Sequence, residues 1–321
     1  MAGVAVVLLA LIVVDNQGGD EPAAPTTTLA SGGGTVPPSD PAPTAPPSSE
    51  PSAPTTAPPA VQTGAVIEET CAVPAIITRG CDVRRRDGAA ANGPLPVVVL
   101  LHGFMSNEDE IRSIGGWDDA LLRRDFLLVT PGGLGGSWNV GNCCGIAQAG
   151  QVDDVGYLSD LITRISARPD VDPQRISLVG FSNGGLMVYR YLCADAGRIN
   201  AAVSVAGTRT VDCFPSVPTP VLQVHGTADQ TVPYQGGQGI VAAILGVNFA
   251  PVETTMAALA AAQGCGVEPT VDNESPVTRR RWAGCVDGVT VDLWTIDGFN
   301  HDWMRAPIDS TARILDYVGI V

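Results

Sequence analysis

The sequence contains no lysine, and its 18 basic residues are all arginine. Without lysine, no side chain can form a Schiff base with a carbonyl substrate or act as a lysine general base. Acidic residues outnumber basic ones, since 33 acids against 18 arginines give a formal net charge of −15. Nucleic acids and anionic lipids bind to basic surfaces, so this balance excludes both as expected partners.

Histidine is also scarce: the sequence contains only His102, His225 and His301. The eight cysteines include no Cys-x-x-Cys spacing. Zinc sites usually draw on cysteine and histidine at such short spacings. We therefore expect no metal ion in this protein.

An even number of cysteines behind an export-like N-terminus is typical of disulfide bonds in an oxidising compartment. Three cysteine pairs are close in the sequence: Cys71 with Cys81, Cys193 with Cys213, and Cys265 with Cys285. The adjacent Cys143 and Cys144 can pair with each other or with other cysteines, and the sequence leaves this open.

The N-terminal part of the chain differs in composition from the rest. Residues 1–15 form a signal-like apolar segment, too short for a membrane span of about 20 residues, although a short uncleaved anchor is the alternative. Residues 16–63 are rich in Pro, Thr, Ser, Ala and Gly, which predicts a disordered linker. We expect a secreted protein, or one tethered to the cell wall or membrane through its N-terminus, with one folded domain over residues 64–321.

Apolar runs and helical stretches alternate through the folded part. The predicted strands are 97–101, 126–130, 176–179, 201–205, 221–224 and 289–296. The predicted helices are 156–165, 186–193, 254–262 and 310–318. Nearly continuous apolar strands between helices predict an α/β protein with a mostly parallel, doubly wound sheet covered by helices on both faces. Catalytic groups in such sheets lie in the loops after the strands.

One of those loops carries a G-x-S-x-G motif. Gly180-Phe181-Ser182-Asn183-Gly184 follows a predicted strand and precedes a predicted helix, the context of an activated serine at a sharp turn. The alternative is an ordinary serine in a glycine-rich turn. A nucleophilic serine also needs two backbone N–H donors for the oxyanion, and we expect them at Asn183 and Phe104.

A serine nucleophile requires a histidine base and an acid that orients it. The chain order serine, acid, histidine selects His301 as the base and Asp229 as the acid. Asp302 is the alternative acid, but neighbouring side chains rarely reach that geometry. His102 and His225 are then expected to brace loops by hydrogen bonds to the backbone.

Taken together, these motifs resemble the secreted α/β-hydrolase esterases grouped as polyhydroxybutyrate depolymerases and feruloyl esterases. The segments that carry the resemblance are 101–103, 137–139, 143–145, 152–156, 180–185, 225–229, 232–234 and 301–303. It extends over residues 94–320 and implies an α/β-hydrolase fold. It also implies a catalytic triad of Ser182, Asp229 and His301, with Phe104 and Asn183 as oxyanion donors.

Two positions depart from the pattern of that family. Met304 stands where a proline follows His-x-Trp, and Asn300 stands where a glycine precedes the histidine. Trp138 and Trp303 are candidate substrate-binding residues that could form an aromatic wall, or they could simply pack in the interior.

The sequence thus predicts a serine esterase that works through an acyl-enzyme, without a metal or organic cofactor and as a monomer. The expected substrate is a polyester such as polyhydroxybutyrate or its oligomers. The alternative is a feruloyl or acetylxylan esterase that acts on plant polysaccharide. A non-catalytic cell-surface binding module is the alternative from another class.

Overall fold

The structure is a computed structural model that describes residues 64–71, 79–215, 217–239, 246–306 and 308–321. The predicted signal-like segment (1–15) and linker (16–63) lie outside the described residues. Among the described residues, no helix combines the length and the apolar composition needed to cross a bilayer.

A ten-stranded sheet runs through the described part of the chain, in the order β1-β2-β4-β3-β5-β6-β7-β10-β9-β8. Its strands are β1 Val66–Thr70, β2 Cys81–Arg86, β3 Leu95–Leu101, β4 Leu127–Pro131, β5 Val171–Phe181, β6 Ala201–Val205, β7 Val221–Gly226, β8 Thr270–Glu274, β9 Val277–Trp282 and β10 Val291–Ile296. The six central strands, from β4 to β10 in this order, pair in parallel, and the strands outside them pair antiparallel.

Helices cover both faces of the sheet. They are α1 Glu108–Gly115, α2 Trp117–Leu121, α3 Gly145–Ala149, α4 Asp154–Ser166, α5 Asn183–Asp195, α6 Val252–Ala262 and α7 Ser310–Tyr317. Alternate residues of β3 point to opposite sides, so Val97 and Val99 pack in the core with α4, α5 and α6, whereas Val98 and Leu100 pack with α1, α2 and α7. The predicted α/β class and doubly wound parallel sheet are confirmed.

All six predicted strands and all four predicted helices are present, with ends shifted by a few residues. Sequence reasoning missed the short helices α1 to α3 and the outer antiparallel strands β1, β2, β8 and β9. These outer strands carry charged residues, such as the arginines of β2 and β9, and lack the continuous apolar runs that identified the central strands.

The described cysteines form four disulfides. Cys71 is bonded to Cys81, Cys193 to Cys213, and Cys265 to Cys285, which are the three pairs expected from their spacing. Cys143 and Cys144 are bonded to each other. The expectation of disulfide bonds is therefore confirmed.

Candidate active site

Ser182 occupies a sharp turn between β5 and α5. Its φ of 53° and ψ of −117° lie in a region that residues with a side chain rarely adopt. The turn closes tightly, because a Cβ on Gly180 would lie 2.2 Å from the carbonyl oxygen of Gly184. A Cβ on Gly184 would in turn lie 2.5 Å from the carbonyl oxygen of Leu101 on β3. The two glycines of the motif are therefore required by close backbone approaches, and the turn presents Ser182 at the start of α5.

Three loops at the carboxyl edge of the sheet bring Ser182, Asp229 and His301 together. His301 Nε2 lies 2.8 Å from Ser182 Oγ, and His301 Nδ1 lies 2.8 Å from Asp229 Oδ2. In the neutral imidazole, Nδ1–H donates to the carboxylate and Nε2 accepts from the serine hydroxyl. This arrangement can move the hydroxyl proton to His301 while the oxygen attacks an electrophile.

Asp229 is buried and receives several hydrogen bonds besides that of His301. Its Oδ1 accepts from the backbone N–H groups of Thr231 (2.8 Å) and Val232 (2.9 Å), and its Oδ2 lies 3.2 Å from His225 Nε2. Burial raises the pKa of this carboxyl, but the hydrogen bonds from His225 and His301 outweigh burial and hold the pKa well below its usual range. Asp229 is therefore an ionised acceptor with a fixed orientation.

The loop that carries His301 is fixed to the loop that carries Asp229. The Ala228 N–H donates to the Phe299 carbonyl oxygen at 2.9 Å, and the Gln230 N–H donates to Asn300 Oδ1 at 3.1 Å. Asn300 is one of the two departures from the pattern of the family, and its side chain makes a contact that glycine could not. The ring of Phe181, the residue before Ser182, packs beside the His301 ring with centroids 5.2 Å apart.

The two expected oxyanion donors, Phe104 and Asn183, lie in the loop after β3 and at the start of α5. No described residue accepts a hydrogen bond from the backbone N–H of Phe104 or of Asn183. The loop after β3 lies against the serine, since a Cβ on Gly103 would be 3.4 Å from Ser182 Cβ. Both N–H groups are thus unpaired among the described residues, as the expected oxyanion role requires.

His102 and His225 bind backbone groups, as expected. His102 Nε2 accepts from the Gly133 N–H at 2.8 Å, so Nδ1–H donates to the Gly103 carbonyl oxygen at 2.7 Å. Burial lowers the pKa of His102, which favours this neutral form. His225 Nε2–H donates to the Val232 carbonyl oxygen at 2.8 Å, and it additionally contacts Asp229, a contact that sequence reasoning missed.

The structure contradicts the expectation that Trp138 and Trp303 form an aromatic wall for substrate. Both side chains are fully buried and expose no surface to a ligand. Trp303 packs edge-on against Trp117 and donates its indole N–H to Thr311 Oγ1 at 2.8 Å. Trp138 donates its indole N–H to the His102 carbonyl oxygen at 3.0 Å. The apolar area of each ring is buried in the interior, and each indole N–H has an internal acceptor.

Sequence reasoning missed the polar contacts that hold the loop between β4 and α4. Asp154 accepts a hydrogen bond from the Asn139 N–H at 2.6 Å and pairs with Arg79 in the interior. Its neighbour Asp153 caps α4 by accepting from the Gly156 N–H, as the helix-cap interpretation predicted. In the described ranges, no three Asp, Glu, His or Cys side chains cluster in a way that could hold a metal ion.

Comparison with known proteins finds esterases among the proteins that this chain resembles. A family model described as phospholipase/carboxylesterase matches residues 146–258, a span that includes Ser182 and Asp229. Feruloyl esterase B of Piromyces equi is 31% identical over 229 residues, which are 68% of this chain and 42% of that protein. A bifunctional acetylxylan esterase/xylanase of Neocallimastix patriciarum is 27% identical over 227 residues, which are 70% of this chain and 31% of that protein.

The chain thus spans less than half the length of these two relatives. Among solved structures, an acetyl xylan esterase from Aspergillus awamori superposes with a TM-score of 0.57 at 14% identity, covering 80% of this chain and 99% of that one. At this identity the likeness supports the fold alone. The chain therefore has the α/β-hydrolase fold and is similar in sequence to feruloyl and acetylxylan esterases, which confirms the predicted fold and the predicted resemblance to α/β-hydrolase esterases.

Proposed function

We propose that the protein is a secreted serine esterase with Ser182 as nucleophile, His301 as base and Asp229 as the acid that orients it. The observation that carries this proposal is the continuous hydrogen-bonded chain from Ser182 Oγ through His301 to Asp229. A binding module that only kept the fold has no need for a strained serine joined to an ionised carboxylate through one histidine.

The proposed reaction has two steps. Ser182 Oγ bonds to the ester carbonyl carbon while its proton passes to His301 Nε2, and the carbonyl oxygen becomes an oxyanion between the N–H groups of Phe104 and Asn183. The oxyanion then re-forms the carbonyl as the alcohol leaves with the proton from His301. Water, deprotonated by His301, attacks the acyl-enzyme in the same way and releases the acid.

For the substrate, we propose a feruloyl or acetyl ester carried by plant polysaccharide. The names of the two relatives given above favour this class over a polyester, which stays a prediction without support from the comparisons. Exposed apolar side chains also border the oxyanion donor at Phe104. Met105 follows it with 69% of its surface exposed, and Ile146 has 63% exposed.

Met105 and Ile146 lie against the same turn after β4. A Cβ on Gly136 would be 3.5 Å from Met105 Cα, and a Cβ on Gly135 would be 3.0 Å from Ile146 Cδ1. A phenolic acyl group on Ser182 would find an apolar surface in this direction, whereas an acetyl group would not need one. The four described disulfides support a secreted protein, because such bonds persist in oxidising compartments.

The experiment is hydrolysis by the full chain of four esters: p-nitrophenyl acetate, methyl ferulate, acetylated xylan and a hydroxybutyrate oligomer. We expect Ser182→Ala to lower kcat by about 10⁵-fold or more, as loss of a triad nucleophile does. Ser166→Ala, at the end of α4, is the control and should keep wild-type rates.

Turnover that survives in Ser182→Ala would refute the triad. Binding of xylan or polyester without turnover of any ester would favour the binding module. If the wild type cleaves the hydroxybutyrate oligomer faster than methyl ferulate or acetylated xylan, the protein is a polyester hydrolase and our substrate proposal is wrong.

A further inference from the structure

The two oxyanion donors belong to separate loops, and a single buried residue makes hydrogen bonds to both loops. We propose that Trp138 is a positioning residue that sets the distance between the N–H groups of Phe104 and Asn183. The inference rests on the proposed function, since it concerns the oxyanion formed during ester hydrolysis. It gives Trp138 a role different from the substrate contact expected from the sequence.

The first connection joins Trp138 to the loop of Ser182. The Trp138 N–H donates to Asn183 Oδ1 at 2.7 Å, and Asn183 Nδ2 donates to the Trp138 carbonyl oxygen at 3.1 Å. The amide side chain of Asn183 therefore binds both polar groups of one backbone residue. This paired contact fixes the first residue of α5, the residue whose own N–H is one of the two proposed oxyanion donors.

The second connection joins Trp138 to the loop after β3. Its indole Nε1–H donates to the His102 carbonyl oxygen at 3.0 Å, and its ring packs beside the His102 ring with centroids 5.2 Å apart. His102 is held by Gly103 and Gly133, and the donor residue Phe104 follows two positions later. Trp138 thus fixes the start of the segment that presents the second N–H.

Burial makes these contacts stable in position. Trp138 is fully buried, and Asn183 and His102 each expose only 1% of their surface. Water does not compete for such bonds, and leaving one of the groups unpaired costs free energy. The backbone next to Trp138 is also fixed. The N–H of the following residue, Asn139, donates to Asp154, and its carbonyl oxygen accepts from Arg190.

The consequence concerns the transition state more than the bound substrate. Two N–H groups stabilise an oxyanion well only when both are already placed at hydrogen-bond distance, so a small shift of one loop lowers the rate. A substrate bound through its remaining groups is less sensitive to that shift. Loss of the Trp138 contacts should therefore lower kcat and leave KM nearly unchanged.

The experiment compares Trp138→Phe with Trp117→Phe in the full chain. Trp117 is also fully buried, but its indole N–H has no hydrogen-bond partner among the described residues, so it controls for the loss of ring volume. We expect Trp138→Phe to lower kcat for methyl ferulate or p-nitrophenyl acetate about tenfold with KM within twofold of wild type. Trp117→Phe should keep the wild-type kcat.

A second readout uses a trifluoromethyl ketone analogue of the better substrate. Ser182 Oγ bonds to the ketone carbon, its proton passes to His301, and the ketone oxygen becomes an oxyanion that mimics the transition state. Trp138→Phe should weaken this inhibitor about tenfold, in proportion to kcat. Equal inhibitor constants in Trp138→Phe and Trp117→Phe would overturn the proposal even if the thermal stabilities differ.

Asn183→Ala gives an independent test that does not require Trp138→Phe to fold. It removes the paired contact with Trp138 and keeps the backbone N–H of residue 183. We expect a lower kcat with unchanged KM, and a wild-type kcat in Asn183→Ala would overturn the proposal. Where Trp138→Phe folds, the Trp138→Phe/Asn183→Ala double variant should lose less than the product of the two single losses, because both act on the same spacing. Multiplicative losses would contradict the proposal. Activity that resists Ser182→Ala would instead refute the proposed function.

Discussion

The acid–base half of the proposed site consists of side chains, because His301 contacts Ser182 Oγ and is itself hydrogen-bonded to Asp229. The proposed oxyanion half consists of backbone groups, the N–H groups of Phe104 and Asn183. The side chains of the first group need a certain residue type at a certain position. The N–H groups of the second are present in any residue except proline, so their placement depends on the neighbours that hold the loops.

This difference determines which substitutions matter on each side. On the acid–base side, we expect a change of the proposed reacting residue itself to remove the activity. On the oxyanion side, the residues whose substitution would matter most are buried ones that never touch substrate, such as Trp138 and Asp154. The predictions below test this contrast, beginning with the largest expected effect.

Asp229→Asn should produce the largest loss on the acid–base side. The amide would favour the wrong tautomer of His301, and we expect kcat to fall by about 10⁴-fold with little change in KM. Steady-state kinetics at pH 8 with p-nitrophenyl acetate would measure it. A loss of less than tenfold would show that Asp302 or another acid orients His301.

Asp229→Asn should also change how the free energy of unfolding depends on pH. Because the folded pKa of Asp229 is held below its unfolded value of about 3.9, the ionised carboxylate stabilises the fold above that pH, and this contribution is lost as the pH falls below it. The stability difference between wild type and Asp229→Asn, from urea unfolding, should therefore shrink below about pH 4. A difference that grows in acid would contradict the assignment.

Asp154→Asn tests the oxyanion side through stability. It would leave Arg79 without its buried partner, and breaking such a pair costs about 3 kcal/mol or more in the free energy of unfolding. A fall in kcat should accompany it, because Asp154 holds the residue after Trp138. Asp153→Asn is the matched control, since asparagine caps a helix as well as aspartate does. Equal urea midpoints for the two variants would contradict the prediction.

His225→Phe removes a donor to Asp229 and keeps the ring volume. We expect kcat to fall about tenfold at unchanged KM, since the carboxylate loses one of the contacts that orient it and keep it ionised. Circular dichroism would check that the variant folds. A change in melting temperature with a wild-type kcat would contradict the prediction and would show that His225 only stabilises the loop.

The smallest expected effect concerns His102. Burial is the main cause of its lowered pKa, and the hydrogen bond to Gly103 and the carboxylates of Glu110 and Asp154 act in the opposite direction. With the folded pKa below the unfolded value of about 6.5, its contribution to stability is complete above that pH and is lost in acid. Between pH 8 and pH 5, wild type should therefore lose more stability than His102→Gln. Parallel urea curves would contradict this.

Several elements of this molecule could be predicted from the sequence because their signals are local. The central strands have continuous apolar runs, and the G-x-S-x-G motif lies between one of them and a helix. The scarcity of histidine, together with chain order, selected the residues that the structure brings together, Ser182, Asp229 and His301. Three of the four disulfides followed from short spacing. The outer antiparallel strands (β1, β2, β8 and β9) and the short helices α1 to α3 lack such signals.

The burial and the partners of Trp138 could not be predicted from local sequence signals. A tryptophan in a loop beside a predicted site has the same sequence signature whether it faces a ligand or the interior, and its partners, His102 and Asn183, are 36 and 45 residues away along the chain. The contact of His225 with Asp229 was missed for a similar reason, since its geometry depends on how the loop after β7 folds back.

The sequence by itself determined the α/β class and the positions of the three side chains that the structure brings together at the proposed site, because residue type, motif and periodicity encode them directly. The tertiary structure decided which tryptophans are buried, what holds the oxyanion donors and why Asp229 stays ionised. These properties depend on distances between segments far apart in the chain and on the exclusion of water from the contacts between them.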